Sequence, residues 1–238
     1  VKLEHSYSET LGAADVVFAN CEPLAQAMQA FANSPIHVVP NGAERFDKLE
    51  KSDVPDALQG IEGPIAAYVG NLRDRIDWTL LHEVVAALPD VSFVFYGPSN
   101  DNPNADSLAR HANVHMLGVV SYSELPFHLQ HVDVGLVPHL NNQLTQRMNP
   151  LKVYNYFAAG LPMVSSEVSN LETLGSALRT AANADDFIRA IRASLSEQID
   201  TSGAQWQATM NSIAWDTRVA RIVELLDQSL HQSLRKTA

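Results

Sequence analysis

The sequence predicts a doubly wound α/β fold, a Rossmann-like parallel sheet with helices on both faces. Three features of its 238 residues point there. Short apolar runs alternate with helix-length amphipathic segments, which is the βαβ rhythm of a parallel sheet. The runs from residue 65 onward are almost uniformly apolar, as strands are when helices cover both of their faces. Several of these runs stop at glycine or proline, where a ligand-facing loop is expected beyond the strand's carboxyl end.

Taken in order, strands are expected at 16–20 (VVFAN), 36–40 (IHVVP), 65–70 (IAAYVG), 91–97 (VSFVFYG), 113–118 (NVHMLG), 132–138 (VDVGLVP) and 162–166 (PMVSS). Helical periodicity falls near 23–31, 77–88, 104–111, 121–131 and 150–159. The run 41–64 opens on the turn pair Asn41-Gly42, is charged and irregular, and ends at Pro64, the pattern of a linker. From 183 to 235 the pattern is helical throughout, with Trp206 and Trp215 as apolar anchors and Ile222, Leu225, Leu226 and Ser229 near one face. The stretch before the linker is too short for an independent domain and reads as a fragment.

Composition removes several function classes. A net charge of −11, spread without long runs, argues against a nucleic-acid partner. No apolar run approaches the roughly 18 residues of a membrane span, and VKLEHSYSE lacks a signal-peptide layout, so a cytoplasmic location is expected. The single cysteine, Cys21, follows an apolar stretch and suits packing. No HExxH, CxxC pair or clustered carboxylates occur; His111/His115 span a helix-to-strand transition and His128/His131 lie on a helix surface, so no metal is expected.

Four strand ends carry the candidate site. Gly70 closes a strand and lets backbone approach a ligand, with Arg73 and Arg75 close behind, which suits a phosphate or an ordinary turn with solvated arginines. Tyr96-Gly97-Pro98 stops the next strand and leaves an aromatic at the ligand-facing edge, for stacking or for a tight turn. Gly118-Val119-Val120 precedes Ser121 and Glu124, a capping-box spacing, and its free backbone groups suit the edge of a base. The fourth end leads into RMNPLKVYNYFAAGLPMVSS. Pro150 in a first helical turn wastes no hydrogen bond, and the helix start offers bare N–H groups and partial positive charge. Lys152 stands one turn inside with Asn155 on the same side, so ammonium and amide can engage a diphosphate and a sugar hydroxyl together.

The stretch PLKVYNYFAAGLPMVSS resembles the signature of glycosyltransferase family 4-like enzymes, P-L-K-x-Y-E-Y-x-A-A-G-x-P-V-V. The segments around IAAYVGNLRDRID, NVHMLGVVSYSEL, ADVVFANCEPL and VVPNGAERF are similar to other parts of the same proteins. The resemblance implies the two-Rossmann-domain GT-B arrangement. Residues 1–45 would then end the N-terminal acceptor domain, 46–63 be linker, 64–200 bind the donor and 201–238 be C-terminal helices. It implies a retaining, metal-independent glycosyltransferase of polysaccharide biosynthesis, with no cofactor beyond a UDP- or GDP-linked sugar as substrate. The partner would be a glycan or lipid-linked acceptor held by the missing N-terminal domain, at the inner face of a membrane touched peripherally by the full-length protein. This fragment alone is expected to be inactive.

By position, the resemblance assigns the donor diphosphate to Gly70, Asn71, Arg75, Pro150, Leu151 and Lys152. It assigns base and ribose to Tyr96, Gly97, Val119, Val120 and Asn155. Two residues depart from the pattern: the acidic residue for the ribose falls at Asn155, and the first glutamate of E-x7-E falls at Arg147. An amide accepts less strongly than a carboxylate and a guanidinium does not accept at all, so a non-catalytic nucleotide-sugar-binding or assembly module is the alternative.

Overall fold

The computed structural model describes residues 2–46, 52–167, 170–197 and 199–237. At the N-terminal end, α1 (Lys2–Gly12) leads into β1 (Val17–Ala19), α2 (Glu22–Met28) and β2 (Ile36–Val38), with β1 and β2 paired in parallel. Helix α1 lies outside the predicted elements because its apolar stripe is one residue wide, Leu3, Tyr7 and Leu11.

The main sheet follows: β3 (Ile65–Val69), α3 (Trp78–Ala87), β4 (Ser92–Tyr96), α4 (Pro103–Leu108), β5 (Val114–Gly118), α5 (Leu125–Leu129), β6 (Val134–Val137), α6 (Leu151–Ala158) and β7 (Met163–Ser166). An edge strand, β8 (Leu178–Ala181), precedes α7 (Ala184–Ser196), α8 (Ala204–Ile213) and α9 (Trp215–Thr237). All six strands are parallel, in the order β5-β4-β3-β6-β7-β8. The chain winds outward from β3 to β5, then returns to β6 on the other side of β3. That reversal opens a crevice beyond the carboxyl ends of β3 and β6, where ligands of such sheets bind.

Helices cover both faces, so the central strands β3 and β6 have no polar side. On β4, Phe93 and Phe95 face α3 and α7, meeting Leu81, Val84 and Ile191. Val94 and Tyr96 face the opposite layer, with Val153, Tyr156 and Phe157 of α6 and Ile213 of α8. Alternation thus survives in the packing although the sequence reads as one apolar run.

Two expectations change. Strand β8 lies outside the predicted strands because LRTA carries no apolar run; it is an edge strand held by its pairing to β7. The tail is not one helical stretch: α7 ends at Ser196, α8 starts only at Ala204, and a turn at Asp200–Gly203 lies between them. There the Asp200 carboxylate accepts the N–H groups of Ser202 and Gly203, both at 3.0 Å. Trp206 stacks on Phe157 with ring centroids 3.8 Å apart. On α9, Leu225 is buried while Leu226 is exposed, so Leu226 lies off the inward face. In the linker region, Leu58 is buried in the main core, and residues 47–51 lie outside the described residues. No described helix is long and apolar enough to cross a membrane.

Candidate functional site

The crevice is a cavity of about 560 Å³. Its floor is Gly70 at the end of β3, held in place by Gly97 at the end of β4. Gly70 donates its N–H to the Tyr96 carbonyl at 2.8 Å, and Gly97 donates to the Gly118 carbonyl at 2.7 Å, so three strand ends are laced together. Gly97 has φ +139°, and a Cβ there would lie 2.0 Å from the Gly70 oxygen, so only glycine fits. Gly70 shares that φ, and a Cβ on it would fall 3.5 Å from Lys152 Nζ. The ammonium therefore stands directly over the bare backbone at the end of β3.

One wall is the start of α6. Pro150 precedes the helix with extended ψ rather than sitting in its first turn, and no side chain caps the first N–H groups. The helix is held in place from below. Gly135 has no side chain, which lets the Tyr156 ring lie against β6, and the Tyr156 hydroxyl accepts Val69 N–H at 2.9 Å. Asn149, buried, ties this wall to Asn41, on the chain that follows β2. Its Oδ1 accepts Asn41 N–H at 2.8 Å, and its carbonyl accepts Asn41 Nδ2 at 2.6 Å.

Lys152 is the most perturbed cation of the site. Its Nζ donates to His139 Nε2 at 3.1 Å and lies 4.6 Å from the centre of the Tyr68 ring. Burial, followed by the nearby Arg75 charge, pulls its pKa down to about 7. Burial also pushes His139 down to about 3, aided by Lys152 and Arg75, so the imidazole is neutral at physiological pH. With Nε2 accepting, Nδ1 carries the proton, and this buried atom has no hydrogen-bond partner among the described residues. An ammonium with only a neutral imidazole and an aromatic face beside it is poised to take an anion. The Arg75 loop is fixed by its backbone: Arg75 O accepts Leu140 N–H at 2.8 Å, joining the β3 and β6 ends.

The structure brings Gly70, Asn71, Arg75, Val120, Pro150, Leu151, Lys152 and Asn155 into this one cavity. Arg75 and Lys152, far apart in sequence, share its walls. Asn155 is nearly buried there, its Oδ1 accepting from the Tyr122 hydroxyl at 3.4 Å. Three predicted residues stand outside the cavity lining. The Tyr96 ring points into the core, its hydroxyl 3.2 Å from His128 Nδ1, because β4 alternation sends it beneath α5. Gly97 serves the strand-end lacing, and Val119 is exposed. Ser121 and Glu124 do form their reciprocal box, with Glu124 N–H on Ser121 Oγ at 3.3 Å.

The prediction missed Tyr68, Tyr122 and His139. His139 follows Pro138 directly after the fourth strand, so the strand-end rule itself had the means to find it. Tyr68 faces the cavity with its hydroxyl donating to Asn71 O at 3.1 Å, a placement that only the pairing of β3 reveals. Among the described residues, no three His, Cys, Asp or Glu side chains gather as a metal-binding group. His111 instead meets His82, their ring nitrogens 3.1 Å apart.

Comparisons with known proteins agree with this architecture. The family model described as glycosyl transferases group 1 matches residues 63–197. The protein assigned as teichuronic acid biosynthesis glycosyltransferase TuaH, of Bacillus subtilis (strain 168), is 29% identical over 137 residues, covering 56% of this chain and 34% of that protein. The α,α-trehalose-phosphate synthase (UDP-forming) from Burkholderia vietnamiensis superposes with a TM-score of 0.69 at 16% identity, over 93% of this chain and 63% of that one. Anabaena Alr3699/HepE, solved in complex with UDP and glucose, gives a TM-score of 0.68 at 15% identity, over 94% and 67%. The chain thus spans about a third of the TuaH relative and under two thirds of the synthase. With the match running from β3 through α7, the chain belongs to the glycosyl transferases group 1 family.

Proposed function

We propose that this chain is the donor-binding half of a glycosyltransferase that moves a sugar from a nucleoside diphosphate to a glycan or lipid-linked acceptor. Residues 64–200 form the donor-binding domain of this reading and 1–45 the end of the acceptor domain. The observation that carries it is the convergence of Arg75, Lys152 and the uncapped start of α6 on one cavity over Gly70.

In the reaction the bond between the anomeric carbon and the diphosphate oxygen breaks, and an acceptor hydroxyl oxygen bonds to that carbon. The hydroxyl proton passes to the departing diphosphate, on whose oxygen negative charge grows before the proton arrives. Groups that meet this charge more strongly in the transition state than in the ground state lower the barrier. Lys152, Arg75 and the first α6 amides supply that potential without reorganising, and they allow departure of the diphosphate without a metal. Gly70 and Asn71 admit the phosphates close to backbone. Asn155 and Tyr122 receive the ribose, and Val120 borders the base. Retention at the anomeric carbon enters through the resemblance of PLKVYNYFAAGLPMVSS, and a location at the cytoplasmic face of a membrane through the same kinship. The UDP bound by the Anabaena protein and the UDP-forming reaction of the synthase favour UDP as the nucleotide.

Calorimetry with UDP, GDP and their sugars tests the reading, which requires saturable binding that Lys152→Met weakens severely. Silence from every nucleotide at millimolar concentration defeats it. A second reading, a non-catalytic nucleotide-sugar-binding module, is favoured by Asn155 and Arg147 standing where the family pattern is acidic. A full-length protein that binds a nucleotide sugar but neither transfers nor hydrolyses it decides for the module. The anomeric configuration of any product, read by NMR, tests retention.

A further inference from the structure

The cavity holds more positive charge than the diphosphate of a sugar nucleotide needs. Arg75, Arg147 and Lys152 all line it, and among its described lining residues there is no Asp or Glu. This runs against the composition, in which 27 acidic residues outnumber 16 basic ones. Neither arginine side chain has a carboxylate partner among the described residues. In a sugar nucleotide both phosphates are diesters and carry one negative charge each. Arg75 and Lys152 match those two charges, which leaves Arg147 over.

Arg147 also stands in a distinct place. It ends the turn Thr145–Arg147, which packs against α2, whereas Asn155 lies one turn beyond Lys152 along α6 and meets Tyr122. With the diphosphate at the start of α6 and the ribose toward Asn155, Arg147 lies on the glycosyl side. The turn is firmly built. Thr145 is fully buried, its Oγ1 accepting Asn142 N–H at 3.1 Å and donating to the Leu140 carbonyl. Asn170 Nδ2 donates to the Met148 carbonyl at 3.1 Å. An arginine held on such a turn offers a planar fork that fits a carboxylate through two parallel hydrogen bonds.

We propose that Arg147 recognises a carboxylate on the transferred sugar, so that the donor class is a nucleoside diphosphate uronate. The inference rests on the donor-site reading above and adds the identity of the glycosyl group. Its test compares donors that share a nucleotide: UDP-glucuronate against UDP-glucose, and GDP-mannuronate against GDP-mannose, by calorimetry on this chain. In one pair the uronate binds about tenfold tighter, the scale of a charge-assisted hydrogen-bonded contact. That ratio falls to about one in Arg147→Met and inverts in Arg147→Glu. A loss of folding lowers both affinities and leaves no reason for the ratio to invert. Equal affinity for uronate and neutral donor in the wild type overturns the proposal. So does a uronate preference that survives in Arg147→Met, as it would if Arg147 served an anion on the acceptor. If UDP or GDP binds without any uronate preference, only the role of Arg147 falls; if no nucleotide binds, the donor-site reading falls with it.

Discussion

Lys152 couples ligand binding to a proton, and the coupling has a definite sign. In the empty cavity its pKa is about 7, held down first by burial and then by Arg75. The groups around it are Arg75, the neutral His139 and the Tyr68 ring, none of which offers negative charge. A bound diphosphate supplies that charge and moves the pKa back toward the ordinary lysine value. The bound pKa therefore lies above the empty one. Binding is strongest below about pH 7 and weakens as pH rises, by about tenfold, or about 1.4 kcal/mol, per unit until the bound pKa is reached. At about pH 8 the empty cavity is ~10% protonated, so binding takes up ~0.9 proton. Calorimetry with UDP in two buffers of different ionisation enthalpy reads that number directly, at a pH where the nucleotide's own phosphate is fully ionised. Lys152→Met removes the uptake along with most of the affinity. Uptake below ~0.2 proton in the wild type, or equal uptake in any residual binding by the variant, refutes the reasoning.

Other perturbations test the scaffold. Lys152→Met also removes a partly buried cation from the empty protein, so its denaturation midpoint rises at about pH 6, where the lysine is charged, and the gain shrinks as pH rises through 7. Gly97→Ala drives a Cβ to 2.0 Å from the Gly70 oxygen at φ +139°. It costs about 3 kcal/mol or more in urea denaturation and loosens nucleotide binding with it. Asn149→Ala breaks the clasp to Asn41 and removes the hydrogen bonds between Asn149 and the Tyr154 hydroxyl, for a loss of about 2 kcal/mol by the same measurement. Asn155→Ala lowers the ratio of affinities for UDP over inorganic pyrophosphate by about tenfold if Asn155 holds the ribose, and leaves that ratio alone if it does not.

Much of this protein was legible before any coordinates. The seven predicted strands all form, because uniformly apolar runs bounded by Gly or Pro have few alternatives to a covered parallel strand. Strand β8 was illegible for the complementary reason: LRTA forms a strand only because β7 presents an open edge to it. The tail breaks at Asp200–Gly203, where a local carboxylate-to-backbone turn overrides helical periodicity.

The sequence by itself determined the βαβ order, the glycines at the strand ends and the kinship carried by PLKVYNYFAAGLPMVSS. Local chemistry settles such features, since strand propensity and backbone freedom act over a few residues. Only the tertiary structure decided which of those residues meet. It turned Tyr96 into the core and brought Arg75 and His139, on two strand-end loops, together with Lys152 in the first turn of α6. It also set the proton affinity of Lys152, because burial and neighbouring charge depend on distances in space rather than spacing along the chain.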